Sequence, residues 1–282
     1  MTRGLIAALL FWAAACHGTE VSIPAMEAGA PSLPATIHKP EGPGPFPAIV
    51  VLHDCSGLGV RSSGSPRRWA DFLVTKGFVA ILPDSFTPRG HREGLCTVPP
   101  QQRHPGVTPV DRARDAYATL AFLRTLPYVD GNRIGVMGGS HGGAATLATM
   151  VAPQSRDRGF LAAVALYPAC AMNMGGWHAD LTGDYAPAGP VQILVGEMDD
   201  WTPAGNCRKL AEAAQKAGHP VSIKVYPGAH HSFDSSSPER YVASRVNMNA
   251  PGKRGATTGG NPEAWADSLR EVAGFFAGHL GK

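Results

Sequence analysis

A serine enclosed by glycines is the residue whose setting most clearly suggests chemistry in this chain. The segment Gly135–Gly143 reads GVMGGSHGG, and Ser140 within it matches the pattern G-x-S-x-G. Between a strand and a helix, this pattern holds a serine on a tight corner with its hydroxyl exposed as a nucleophile. Gly138 and Gly142 then let the strand and the helix approach each other. The alternative is a glycine-rich turn without chemistry.

A serine hydroxyl needs a base to take its proton and an acid to orient that base. In folds built around such a corner, the chain order is serine, acid, histidine. Asp199 and Asp200 follow the predicted strand VQILVGE, and His230 and His231 follow the next strand, VSIKVYPG. We favour Asp199, which lies four residues before Pro203, where the loop turns toward the next helix. Asp200 remains the alternative acid, or an exposed residue or helix cap.

The negative charge that develops on a carbonyl oxygen under attack needs two backbone N–H donors. One donor is expected from His141, the residue after the serine. The other is expected from the loop after an earlier strand, HDCSGLG, in which Cys55 is the candidate. His53 and Asp54 in the same loop are expected to support the loop.

The elements that must position these residues alternate between strand and helix. Continuous apolar runs predict buried strands at AIVVLHD, FVAILPD, RIGVMGG, FLAAVALYPA, VQILVGE and VSIKVYPG, with a further strand at LPATIHKP. Helical spacing marks PRRWADFLVTKG, VDRARDAYATLAFLRTLP, HGGAATLATMVA, TPAGNCRKLAEAAQKAG and PEAWADSLREVAGFFAGHL. This alternation predicts an α/β protein with a mostly parallel sheet and helices on both faces.

Two long loops, residues 87–107 and 234–261, are expected to border the site. Arg89 in the first loop could bind a substrate carboxylate, or it could pair with Asp84. Trp177 and Trp201 lie near predicted strand ends, where they either line the pocket or are buried beneath a loop.

The composition of the 282 residues is that of a folded protein, with 44% hydrophobic and 17% charged residues. A net charge of +3 without a long basic run gives no support for nucleic-acid binding. The glycines do not form a nucleotide-binding motif, and the histidines and cysteines lack the spacing of metal ligands. We therefore expect neither a metal nor a cofactor.

The N-terminus predicts export. Residues 1–15 read as a signal peptide, with Arg3 followed by the apolar run Leu5–Ala15. The eleven residues of that run are too few to span a bilayer as a helix, and no later segment is long enough. Cys16 is either removed or acylated as a lipid anchor. Residues 16–31 are expected to be a linker, and residues 32–282 a single catalytic domain in the periplasm or the medium.

Four cysteines remain after Cys16. An even number in an exported protein suggests two disulfides. Four cysteines allow three pairings, and spacing alone does not choose among them. The four are Cys55, Cys96, Cys170 and Cys207.

Taken together, these segments resemble the dienelactone hydrolase family of α/β-hydrolases. The resemblance runs from about residue 32 to the C-terminus and rests on PFPAIVVLHDCSGL, PDSFTPRG, RARDAYATLAFLRTLPYVDGNRIGVMGGSHGG, GEMDDWTPAGNC and YPGAHHSFD. It implies an α/β-hydrolase fold and favours His231 over His230, because the family pattern is His-x-Phe. By this resemblance the catalytic triad is Ser140, Asp199 and His231, and the oxyanion donors are Cys55 and His141.

Two departures from the family's founding enzymes shape the expected substrate. Those enzymes have a cysteine where this chain has Ser140, and a glutamate where it has Asp54. These differences favour a general serine esterase over an enzyme for dienelactone itself. The resemblance also implies that the loop with Cys96 covers the loop with Cys55, which favours the pairs Cys55–Cys96 and Cys170–Cys207.

The sequence therefore predicts an exported serine hydrolase that cleaves a small ester or lactone through an acyl-enzyme. A peptidase or thioesterase with the same triad is the first alternative. A binding protein that keeps the fold without turnover is the second, and the filled triad positions argue against it.

Overall fold

The computed structural model of the chain describes residues 18–26, 29, 31–151, 159–170 and 185–281. The predicted signal peptide, Cys16 and Trp177 lie outside the described residues. Within the described ranges, no helix is both long and apolar enough to cross a bilayer.

The described residues form one large sheet that carries the site. Its strands are β1 (Thr19–Ile23), β2 (Leu33–His38), β3 (Phe46–Leu52), β4 (Val79–Pro83), β5 (Val129–Gly139), β6 (Ala163–Leu166), β7 (Val191–Gly196) and β8 (Val221–Tyr226). The strand order is β1–β2–β4–β3–β5–β6–β7–β8. In this order, each neighbouring pair from β4 through β3 to β8 is parallel. The pairs β1–β2 and β2–β4 are antiparallel. The carboxyl ends of β3, β5, β6, β7 and β8 therefore meet at one edge.

Helices cover both faces of the sheet. They are α1 (Ser65–Thr75), α2 (Pro109–Leu123), α3 (His141–Val151), α4 (Ala204–Lys216) and α5 (Pro262–Leu280). Along β3, Val50 and Leu52 belong to the apolar cluster that includes α2, α3 and α4, whereas Ile49 and Val51 belong to the cluster that includes α1 and α5. A strand buried on both faces reads as a continuous apolar run, which is why the sequence predicted it. The predicted α/β-hydrolase fold is confirmed.

Two segments differ from the sequence prediction. Part of the expected linker, Thr19–Ile23, forms edge strand β1 and pairs with β2. The second long loop contains a hairpin of β9 (Arg240–Val246) and β10 (Arg254–Thr258). β1 and β9 are mostly exposed, so they lack the apolar run or clean alternation that marks a strand in sequence.

Two disulfides join loops at the carboxyl edge of the sheet. Cys55 is bonded to Cys96 and Cys170 to Cys207, as the resemblance implied. The first ties the loop after β3 to the first long loop. The second ties the segment after β6 to α4. Both pairs close long chain segments, of 41 and 37 residues, so they restrict the unfolded chain.

Helix α3 begins in very close contact with β3. A Cβ atom on Gly142 would overlap the carbonyl oxygen of Leu52 and lie 2.6 Å from that of His53. A Cβ atom on Gly138 would lie 2.7 Å from the backbone of Gly142. These neighbours are backbone atoms that cannot move aside as a side chain can. Glycine is therefore required where β5 turns into α3.

Mass-spectrometric peptide mapping without reduction tests the cross-links. We expect peptides joined as Cys55–Cys96 and Cys170–Cys207. The free energy of unfolding of the double variant Cys170→Ser/Cys207→Ser should be about 2–4 kcal/mol lower than that of wild type, because its unfolded chain is less restricted. Free thiols at all four positions in the unreduced protein would contradict this arrangement.

Gly142→Ala tests the close approach of α3. We expect a loss of about 3 kcal/mol in the free energy of unfolding, measured by urea denaturation, because the new methyl group meets fixed backbone. The matched control is Gly205→Ala in α4, where a Cβ atom meets nothing within 4 Å. That variant should change stability by less than about 1 kcal/mol. Equal effects in the two helices would reject the account.

Candidate active site

Ser140 sits on the corner between β5 and α3. Its φ angle is 55°, in the left-handed region that side chains rarely adopt. Its N–H donates to the Leu166 carbonyl at 2.9 Å, and its own carbonyl accepts from Ala144 in the first turn of α3. Such backbone strain costs about 1–3 kcal/mol and persists only where the surroundings enforce it. The strand and helix therefore hold the hydroxyl in a fixed position at the sheet edge.

The structure brings Ser140, His231 and Asp199 into one hydrogen-bonded chain. Ser140 Oγ lies 2.9 Å from His231 Nε2, and His231 Nδ1 lies 2.8 Å from Asp199 Oδ2. The carboxylate can only accept, so Nδ1 carries the proton and Nε2 is free to accept from the serine. The histidine and the aspartate are almost fully buried. The favoured members of each sequence pair are thus the ones that meet.

The loop after β7 fixes the Asp199 carboxylate. Its Oδ1 atom accepts from the backbone N–H groups of Trp201 at 2.9 Å and Thr202 at 2.7 Å. Its Oδ2 atom is left to His231 and to the Thr202 hydroxyl, which is 3.0 Å away. That hydroxyl also lies 3.0 Å from the Tyr167 carbonyl, to which it can donate instead. Thr202 therefore joins the acid loop to the segment after β6.

His231 is held from several sides. Its carbonyl accepts from Gly259, just after β10, at 3.0 Å. The Tyr167 and Trp201 rings lie against its imidazole, with centroid distances of 4.8 and 4.7 Å. Tyr167 in turn donates to Asp234 Oδ1 at 2.8 Å, and burial raises the pKa of the Asp234 carboxyl. These contacts restrict the imidazole to the orientation that faces Ser140.

The residues of the two predicted oxyanion donors, Cys55 and His141, line one cavity together with Ser140. Among the hydrogen bonds of the described residues, none uses the backbone N–H of Cys55 or of His141. The loop that contains Cys55 is held by Asp54, whose Oδ1 accepts from the Ser56 N–H at 2.6 Å and whose Oδ2 accepts from the Ser63 hydroxyl at 2.5 Å. Asp54 therefore supports the loop, in the role expected from the sequence.

Two cavities meet at Ser140. The smaller, of about 150 Å³, is lined largely by hydroxyl groups and by Arg61, Arg240 and Arg245. The larger, of about 360 Å³, lies on the side of His141. Trp201 and the Cys55–Cys96 disulfide line both cavities. A substrate carbonyl at Ser140 would thus have room on two sides of different character.

The structure gives Arg89 and Asp200 partners that the sequence did not suggest. Arg89 binds Asp115 of α2 through two hydrogen bonds, of 2.8 and 2.9 Å, so it pairs with neither Asp84 nor a substrate. Asp200 accepts from the Thr257 N–H and hydroxyl, so it anchors the β9–β10 hairpin. Both partners come from distant segments, which local sequence signals do not reveal.

The sequence did not indicate four residues that line the site or hold its loops in place. Thr202 follows Asp199 by three residues, a spacing that could have indicated a capped loop. Arg240 and Arg245 lie on the unpredicted hairpin. Arg112 lies on a correctly predicted helix, where nothing marked it as buried.

A metal is not supported by the donor groups of the described residues. Asp54, Cys55 and Cys96 have donor atoms within 4.8 Å of one another. The two sulfurs form a disulfide, however, and a metal ligand needs a thiolate.

Similarity to characterised folds extends over almost the whole chain. The crystal structure of a candidate dienelactone hydrolase from Klebsiella pneumoniae superimposes with a TM-score of 0.70 at 20% identity, covering 92% of this chain and 98% of that one. Thermogutta terrifontis esterase 2, in a structure phosphorylated by paraoxon, superimposes with a TM-score of 0.64 at 22% identity. The match covers 94% of this chain and 95% of the esterase. These similarities show the shared fold.

Sequence similarity identifies the family. A candidate carboxymethylenebutenolidase of Azospirillum brasilense is 25% identical over 279 residues, which cover 93% of this chain and 100% of that protein. The sequence profile of the dienelactone hydrolase family matches residues 33–280. Because that match includes most of the chain, the protein belongs to the dienelactone hydrolase family of hydrolases.

Proposed function

We propose that this protein is an exported serine hydrolase that cleaves a carboxylic ester or lactone through an acyl-enzyme. The observation that carries the proposal is the hydrogen-bonded chain from Ser140 Oγ through His231 to Asp199, with distances of 2.9 and 2.8 Å. A serine, a histidine and a carboxylate in this order form the arrangement that generates an alkoxide-like nucleophile at neutral pH.

In the first half of the reaction, His231 Nε2 takes the Ser140 proton as Oγ attacks the substrate carbonyl carbon. The carbonyl π electrons move to the oxygen, and the N–H groups of Cys55 and His141 stabilise its negative charge. Asp199 keeps the proton of His231 on Nδ1 and stabilises the imidazolium that forms. The bond to the leaving oxygen then breaks, and His231 returns its proton to that oxygen.

In the second half, water attacks the acyl-enzyme. His231 takes one water proton, the hydroxide oxygen bonds to the carbonyl carbon, and a second oxyanion forms in the same place. Collapse of this intermediate breaks the bond to Ser140 Oγ, which regains a proton from His231. The products are an acid and an alcohol, or a single hydroxy acid from a lactone. The reaction uses protein groups and water alone.

The structural neighbours include esterase 2, matched over 95% of its chain, and two dipeptidyl peptidase-type proteins, matched over 35% and 36% of theirs, and this difference in coverage favours ester cleavage. One structural neighbour is an esterase that was captured phosphorylated by paraoxon, and a second is a dienelactone hydrolase-like phosphotriesterase. A peptidase or thioesterase would use the same three residues, but no feature of the two cavities favours an amide or thioester.

An anionic substituent on the substrate is supported by the smaller cavity. Arg61, Arg240 and Arg245 line it together with one acidic residue, Asp54, whose carboxylate is taken up by loop hydrogen bonds. The guanidinium of Arg245 stacks over Trp201 at 5.3 Å. Arg245 Nε is buried without a hydrogen-bond partner among the described residues. Arginine binds carboxylates through paired donors in fixed geometry. We therefore propose that the ester carries a carboxylate on this side of the scissile bond.

Export is supported by two independent features. The apolar run Leu5–Ala15 has the length and position of a signal-peptide core. The pairs Cys55–Cys96 and Cys170–Cys207 are bonded, and disulfides persist in oxidising compartments. We propose a periplasmic or secreted protein, either free after cleavage or anchored through an acylated Cys16. Cell fractionation with N-terminal mass analysis separates these two forms.

Ser140→Ala tests the nucleophile. Hydrolysis of p-nitrophenyl acetate should fall by at least about 1,000-fold, and labelling by a fluorophosphonate probe should be lost, because the attacking oxygen is gone. The matched control is Ser62→Ala, a serine of the same smaller cavity, which should keep labelling and activity within about threefold of wild type. A folded wild type that neither labels nor turns over would leave a binding protein as the better account.

Arg245→Gln tests the anionic subsite. The ratio of kcat/KM for p-nitrophenyl hemisuccinate over p-nitrophenyl butyrate should fall by about tenfold or more, because one charge-assisted contact contributes about 1.5–3 kcal/mol. Arg270→Gln, which removes an exposed charge on α5, should leave the ratio unchanged. If the Arg245 variant lowers both esters equally, the cavity does not select for charge.

A further inference from the structure

We infer that Arg112 is the positioning residue of the oxyanion hole: it joins the segment leading to Cys55 to the first residue of α3 and holds a buried positive charge in contact with both segments. The inference rests on the proposed function, since it assigns a role in the reaction proposed for Ser140. Arg112 lies on α2, which contributes no residue to the proposed triad or to the two donors.

The contacts of Arg112 reach both sides of the hole. Its Nη2 atom donates to the His53 carbonyl at 2.7 Å, two residues before Cys55. Its Nη1 atom lies 2.9 Å from Nδ1 of His141. A guanidinium can only donate, so His141 Nδ1 accepts and its ring proton is on Nε2. One planar group thus connects two backbone segments that carry the two proposed donors.

The surrounding cluster leaves this guanidinium little freedom. Arg112 is 0% exposed. Its guanidinium lies over the ring of Phe86, 4.9 Å from the centroid. The same ring contacts His53 and His141 edge-on, with centroid distances of 4.4 and 5.6 Å. Because Phe86 itself is fully buried, the four side chains form one packed unit in the interior.

The charge of Arg112 is not neutralised by contact. Among the ion pairs of the described residues, none includes Arg112, and the Asp115 carboxylate is in contact with Arg89. The carboxylates of Asp115, Asp54 and Asp84 favour the charged form of Arg112 from beyond contact distance. Burial lowers the pKa of Arg112 to about 10, which still leaves it protonated at neutral pH. Burial also lowers the pKa of His53 and of His141 well below the usual value, so both rings stay neutral.

A buried cation without a carboxylate in contact is costly to fold, and its Nε atom also lacks a partner among the described residues. In a site without water, a positive charge strongly stabilises negative charge that develops nearby, because the dielectric constant there is low. The charge that appears during ester cleavage is on the oxyanion. Arg112 is therefore placed to favour the tetrahedral state through its field and through the spacing of the two amides.

The test compares Arg112→Lys and Arg112→Met with Tyr117→Phe. Tyr117 is a matched control because it is buried on the same helix and its hydroxyl donates to the Thr149 carbonyl at 3.0 Å, away from the site. Each kcat is divided by the number of sites titrated with a fluorophosphonate, so that only folded protein counts. The affinity for an alkyl boronic acid, which forms a tetrahedral adduct on the serine, is measured alongside.

We expect kcat to fall about 100-fold in Arg112→Met and about tenfold in Arg112→Lys, with KM within about threefold of wild type. Boronic acid affinity should fall in parallel with kcat/KM. Tyr117→Phe should lower Tm without changing kcat per titrated site, as a purely structural contact does.

The inference is overturned if both folded Arg112 variants keep kcat within about twofold, or if boronic acid affinity does not follow kcat/KM. If Arg112→Met does not fold, the lysine variant decides by the same criteria. Failure of the proposed function is distinguishable, because it appears as a wild type that lacks turnover or as activity retained in Ser140→Ala.

Discussion

The close approach of three backbone segments at the start of α3 is the constraint on which the site depends. Gly138 and Gly142 allow β5 and α3 to lie against the carbonyl of Leu52 at the end of β3. Between these two glycines, the backbone at Ser140 adopts the left-handed conformation. A hydroxyl fixed in this way can form a hydrogen bond with a histidine from the end of another strand, because both groups are already held in position. The strain at one residue is maintained by the packing of the sheet.

The remaining parts of the site are brought together because parallel strands end at one edge. The acid loop after β7, the histidine loop after β8 and the Cys55 loop after β3 all emerge there. Longer segments then fix these loops. The β9–β10 hairpin binds Asp200, and Gly259 just after it binds the His231 carbonyl. The Cys55–Cys96 disulfide joins the Cys55 loop to residues 87–107. The loops thereby gain a rigidity that their own sequences do not provide.

The predictable part of this protein is the part with local signals. Apolar runs marked the parallel strands, and the residues following them placed Ser140, Asp199 and His231 at one edge in the right order. The hairpin was missed because β9 is mostly exposed and lacks an apolar pattern. Arg112 and Arg114 look alike in sequence, yet the first is fully buried and the side chain of the second is 42% exposed. Which arginine faces the core follows from how α2 packs, and that is set by the tertiary fold.

Covalent acylation of Ser140 during turnover is the step that distinguishes this protein from a binding protein of the same fold. The most direct measurement mixes native protein with p-nitrophenyl acetate, quenches with acid on the millisecond timescale, and determines the intact mass and the modified peptide. We expect the added mass of one acetyl group per chain, located on Ser140. Turnover without an adduct at any quench time, or an acetyl group on another residue, would contradict it.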